Sequence, residues 1–138
     1  MKKGGVVEAF PLNTAMDLGT TSISFMVEPD GNVVLNCSYQ NIKSGDFKTV
    51  GAIYPDKLIR TENYFEYITS RMGPWLTERG IFGHIKMDFI SFELPQMGQF
   101  IWALGIKPYL DEYSCVVPFI KGVSGCHFQN DQFINIKT

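Results

Sequence analysis

At 138 residues, with 45% hydrophobic and 19% charged side chains, the chain suits one domain with a buried core and excludes a disordered tail. Twelve basic residues against fourteen acidic ones give a net charge of −2, and no basic run extends beyond Lys2-Lys3, so charge leaves no nucleic-acid footprint. No apolar stretch approaches the ~20 residues that cross a bilayer, and Cys37, Cys115 and Cys126 form no CxxC pattern and follow no signal-like run, which argues for an intracellular protein with reduced thiols.

Two β-rich runs, Ser22 to Glu28 and Asn32 to Ser38, flank Pro29-Asp30-Gly31, and this turn chemistry predicts a hairpin. Ile23, Phe25 and Val27 alternate with Ser24 and Met26, while Val33, Leu35 and Cys37 are expected to share one face. Residues 41 to 56 read as a loop with one brief strand around Thr49 to Tyr54. A helix follows, since Phe65, Ile68, Met72 and Leu76 recur at spacings of three and four. Gly80 is placed to stop it, and Gly73-Pro74 predicts a kink or break.

Strands Gly83 to Glu93 and Gln99 to Lys107 then make a second hairpin around Leu94-Pro95-Gln96-Met97-Gly98. A last helix is expected over residues 111 to 123, with Asp111 as N-cap, Val116, Phe119, Ile120 and Val123 facing inward, and Pro118 as a break or later start. The order is hairpin, helix, hairpin, helix. That order predicts an α+β unit over residues 1 to 138, an antiparallel sheet of two hairpins with its helices on one face.

Several stretches, in order, resemble the C-terminal lobe of an ATP-grasp domain, and most closely the divergent branch of the IQ-motif-containing protein H type. "GGVVEAFP" at 4 to 11, "SISFMVEPDGNVVL" at 22 to 35, "GAIYP" at 51 to 55, "LTERGIFGHIKMDFISFE" at 76 to 93 and "QFIWALGIKPYL" at 99 to 110 carry the resemblance. It implies one of two lobes that clasp ATP and magnesium in enzymes joining a carboxylate to an amine or thiol. The companion lobe, whose lysines contact the phosphates, would lie on another segment or chain, or the lobe would be a stand-alone relic. The branch also implies protein partners and a ciliary or axonemal assembly.

Asp88 matches the family's first metal-binding carboxylate, while the family's acid-x-Asn pair falls on Gly105 and Lys107. Magnesium needs hard oxygen donors in near-octahedral geometry. Glycine has no donor and a protonated lysine has no lone pair. Period two puts His84, Lys86, Asp88, Ile90 and Phe92 on one face of their strand. On its partner it puts Phe100, Trp102, Leu104 and Ile106 on an apolar face opposite Gly105 and Lys107. The expectation is an Asp88–Lys107 ion pair at a degenerate nucleotide and metal position, with no bound metal and no cofactor. The alternatives are the C-terminal lobe of a working Mg-ATP ligase and an ATP sensor without turnover.

The remaining candidates read as structural. His84 and His127 lack partners at metal-ligand spacing, and the cysteines lack a Cys/His/Asn signature. Gly4-Gly5 lacks the GK[ST] of a phosphate loop. Asp111-Glu112 could supply substitute carboxylates, but acids at a helix start serve capping. Aromatics such as Trp75, Trp102 and Phe119 are too numerous for one core, so some are expected at a partner surface.

Overall fold

A computed structural model describes residues 16–45, 48–125, 127–129 and 132–134. The alternation that predicts the first hairpin builds it: β1 (Met16–Val27) and β2 (Val33–Lys43) pair antiparallel around a tight turn in which Gly31 N–H donates to Glu28 O. β2 pairs with the short β3 (Thr49–Ile53), and β1 pairs on its other side with β4 (Gly83–Leu94). β5 (Gly98–Lys107) pairs with β4, so the antiparallel order is β3-β2-β1-β4-β5. Helix α1 (Tyr64–Thr77) lies between β3 and β4 in the chain; α2 (Val116–Ser124) and the small pair β6 (His127–Gln129) and β7 (Gln132–Ile134) follow β5.

The α+β class and the antiparallel sheet agree with the sequence reading. The helices do not share a face. Ile23, Phe25, Val27, Ile85, Met87 and Phe89 are buried beneath α1, which presents Leu76, Met72, Ile68 and Phe65. Cys37 and Tyr39 are buried on the opposite face beneath Val117 of α2. A β-bulge between Ser24 and Phe25 causes this division: Phe25 pairs with Leu35 and Ser24 with Cys37, so Asn36 is the extra residue. One inserted residue inverts the side-chain parity of the strand. Leu35 therefore joins the α1 core and Cys37 the other, where the sequence alone predicts one shared face.

Helix α1 also runs on through Gly73-Pro74, where the sequence predicts a kink or break, so there is no break. Proline removes one backbone donor, but tertiary packing of the amphipathic face holds the helix. Gly73 sits against the first hairpin so closely that a Cβ there would lie 2.4 Å from both Gly31 O and Val33 Cγ2. The helix stops as expected, with Gly80 at φ +69, Gly80 N–H donating to Thr77 O and Ile81 N–H to Leu76 O.

Helix α2 begins at Val116, later than expected, and Asp111 is not its N-cap. Val117 alone in it is buried; Val116 and Ile120 are half-buried, while Phe119 and Val123 point outward at 69% and 73% exposure. Residues 4 to 11, expected as an entering strand, and Cys126 lie outside the described residues. No helix among those described is long and apolar enough to cross a membrane.

Candidate functional site

The period-two pleat sends Ile85, Met87 and Phe89 of β4 into the α1 core, so Lys86 and Asp88 face the α2 side. On that side Asp88 stands opposite Ser22 of β1 and Gly105 of β5, and Lys86 opposite Lys107. A second bulge, between Asp88 and Phe89, leaves Leu104 as the extra residue of β5. The apolar face expected across Phe100, Trp102, Leu104 and Ile106 is therefore interrupted. Phe100 and Trp102 share the Asp88 side, where Phe92 stacks on Phe100 with centroids 5.7 Å apart and meets Trp102 edge-on at 5.1 Å. Beyond the bulge, Ile106 pairs with Met87 instead.

Four ionic side chains meet here. Lys107 Nζ donates to Asp88 Oδ2 at 2.8 Å, the ion pair expected from the sequence. Lys86 Nζ lies 3.4 Å from Asp88 Oδ1 and donates to Asp111 Oδ2 in a short hydrogen bond. Neutral donors complete the set. Ser22 Oγ donates to Asp88 Oδ1 at 2.6 Å, and Asn41 Nδ2 holds Ser22 Oγ at 2.9 Å. Asp111 Oδ1 accepts Ser114 N–H and Ser114 Oγ, each at 2.7 Å, and Tyr39 OH donates to both Asp111 oxygens at 3.0 and 3.1 Å. Tyr54 OH donates to Tyr113 O, which closes the loop after β5 over the sheet.

Burial alone would raise both carboxyl pKa values and lower that of Lys86. For Asp111, burial is outweighed by hydrogen bonds from Lys86 and Ser114, and its pKa falls to about 2. Asp88 is likewise held below the ordinary carboxylate range, since Lys107, Ser22 and Lys86 overcome its burial. Lys86 resists burial through Asp111 and Asp88 and is pushed above the ordinary ammonium range. Lys107 is raised by its bond to Asp88. Burial pushes the Tyr39 hydroxyl up to about 12, so it remains a donor to Asp111 at neutral pH.

A cleft of about 290 Å³ opens over this network, lined among others by Thr20, Lys43, Lys86, Asp88, Gly105 and Lys107. Magnesium does not fit its donor set. Each oxygen of Asp88 already accepts from a lysine or serine, two ammonium groups stand beside it, and the facing Gly105 offers no donor. Among the described residues no group of three or more His, Cys, Asp and Glu is placed to hold a metal. The cations that balance Asp88 are the chain's own lysines.

Of the residues expected at the site, Asp88 and Lys107 are brought together, and Gly105 faces Asp88. Sequence reasoning placed Lys86 on the right face without giving it a role. The sequence favours Asp111 as a helix cap over its alternative as a substitute carboxylate, while Tyr39, Ser22, Asn41 and Ser114 carry no signal beyond strand or loop propensity. Their placement depends on the first bulge and on the path of the loop after β5.

The fold and this polar seam define the class: an α+β lobe whose central antiparallel hairpins carry a lysine-neutralised acidic position. A family model described as IQCH-like, ATP-grasp matches residues 1–130. The chain belongs to the IQCH-like ATP-grasp family. IQ motif-containing protein H of Danio rerio is 31% identical over 108 residues, covering 77% of this chain and 10% of that protein. The chain thus spans about a tenth of the length of the curated relative it matches.

Proposed function

We propose that the chain is a non-catalytic ATP-grasp-like module that works through protein contacts, within an assembly of ciliary or axonemal type. The observation that carries this reading is the filled cation position, where Lys107 stands 2.8 Å from Asp88 and Lys86 stands 3.4 Å from it. Covalently attached ammonium groups do not leave the site as a metal does, and they repel an arriving divalent ion. The protein-contact half of the reading rests on apolar side chains left outside, among them Trp75, Phe82 and Phe119. The ciliary setting rests on the resemblance to the protein H branch alone.

Thermal unfolding with and without Mg-ATP tests it, because a ligand bound only by the native state raises the melting temperature by mass action. The expected result is no magnesium-dependent shift at millimolar Mg-ATP. A clear rise rejects the reading. One observation favours a second reading, the C-terminal lobe of an Mg-ATP ligase completed by another segment or chain: Asp111 brings a second carboxylate to Lys86. A rise that requires magnesium supports that alternative, and a rise with ATP alone supports a sensor without turnover.

A further inference from the structure

β3 covers only part of β2. Its pairing runs from Lys43↔Thr49 to Gln40↔Ile53, and beyond Ile53 the chain continues into Tyr54-Pro55. Proline has no N–H to extend a ladder. Among the described residues no strand pairs with the outer edge of β2 from Val33 to Tyr39. A groove of about 620 Å³ follows this edge. Its β2 wall is Leu35, Asn36, Cys37 and Ser38 in succession; Leu35 belongs to the α1 face and Cys37 to the α2 face, so the groove runs along the backbone edge between them.

The opposite wall runs from Ile59 into the first turn of α1. Its charge is one-sided. Arg60 is turned away to Glu93 at 2.8 Å, and Asp56 is buried, accepting Thr21 Oγ1 at 2.6 Å and Ile59 N–H at 3.1 Å. Glu62, just before α1, and Glu66, in its first turn, are exposed and have no ion-pair partner among the described residues. An open strand edge facing two unpaired carboxylates is complementary to an extended segment bearing Lys or Arg.

We propose that this groove receives an extended basic segment of a partner protein, added to the edge of β2 in line with β3, with its cationic side chains against Glu62 and Glu66. The proposal deepens the protein-contact reading by naming the class of partner. Main-chain hydrogen bonds supply affinity in this recognition mode, and alternate side chains supply selectivity. An occupant of about six residues, about 20 Å of strand, fits within the free run from Val33 to Tyr39.

The test uses the full 138-residue chain and a dye-labelled octapeptide of alternating Lys and Val, with an alternating Glu and Val peptide as control. Fluorescence anisotropy is expected to show micromolar binding of the Lys-Val peptide, at least tenfold weaker for the control. The Glu62→Lys/Glu66→Lys double variant should lose at least tenfold for the Lys-Val peptide while still unfolding cooperatively with only a small drop in melting temperature, because both positions are exposed and Glu66 contributes only its favourable charge at the start of α1. Amide exchange over Val33 to Ser38 should slow at least fivefold with the Lys-Val peptide bound, which charge attraction to the helix alone would not produce. No binding, equal binding of the acidic peptide, or binding without slowed exchange in β2 overturns the proposal. Mg-ATP stabilisation would reject the non-catalytic reading without altering these readouts.

Discussion

The polar seam turns on single residues with unequal burdens. Lys86 is 10% exposed and serves two carboxylates, whereas Lys107 is 45% exposed and serves one. Removing a buried partner strands the charges it balanced, at a cost of about 3–5 kcal/mol, while an exposed pair contributes about 1 kcal/mol or less. Urea unfolding should therefore show Lys86→Met destabilised by about 3 kcal/mol and Lys107→Met by about 1 kcal/mol or less; equal effects would contradict the assignment. Two glycines make a similar contrast. Gly73→Ala places a Cβ at 2.4 Å from backbone and side-chain atoms, and should cost about 2 kcal/mol or more. A Cβ at Gly105 meets nothing within 4 Å, so Gly105→Ala should stay within about 0.5 kcal/mol of the parent.

Acid sensitivity belongs to the same residues. Asp111 titrates at about 2 in the fold, below the ~3.9 of an unfolded Asp, so its contribution is complete above about pH 4 and disappears as pH falls toward 2. Asp88 is lowered too and acts in the same direction. Lys86 is raised, so its contribution holds at neutral pH and is lost only in base above ~10.4. Chemical unfolding between pH 7 and 2 should show stability falling below pH 4, with Asp111→Asn less stable at pH 7 and shallower in acid. An unchanged acid slope in the variant would mean that Asp111 does not carry the acid sensitivity.

Among the elements, local period explains the strands and α1, and it fails where neighbours decide. The alternation of Ile23, Phe25 and Val27 and the spacing of Phe65, Ile68, Met72 and Leu76 place the α1 core directly from sequence. Asn36 and Leu104 have no side-chain chemistry that marks a bulge, so the parity they invert at Cys37 and Ile106 was not legible. Asp88, Gly105 and Lys107 were legible because all three lie on the same side of the second bulge, where the pairing Asp88↔Gly105 and Lys86↔Lys107 is regular. Asp111 was not, because helix-start acids and loop acids look alike in sequence. The docking of α2 has its own probe. Cys37 lies under Val117 with its thiol pushed by burial up to about 12, whereas Cys115 is exposed at the start of α2. Alkylation followed by peptide mass mapping at pH 8 should modify Cys115 at least a hundredfold faster than Cys37; comparable rates would mean that α2 does not cover the sheet as described.

At the scale of the molecule, the two faces of one sheet do different work. The α1 face supplies the apolar core, and the α2 face carries the ionic seam between β1, β4, β5 and the loop before α2. Binding an ATP-grasp metal would require Asp88 to exchange Lys107 and Lys86 for the ion. Under the proposed function these lysines hold the position permanently. Paramagnetic broadening measures this directly: Mn-ATP is titrated into the isotopically labelled chain and the amide signals of Asp88, Gly105 and Lys107 are followed. The expected result is no broadening at these three amides beyond that of surface amides elsewhere, at up to millimolar Mn-ATP. Selective, saturable loss of the three signals would contradict it.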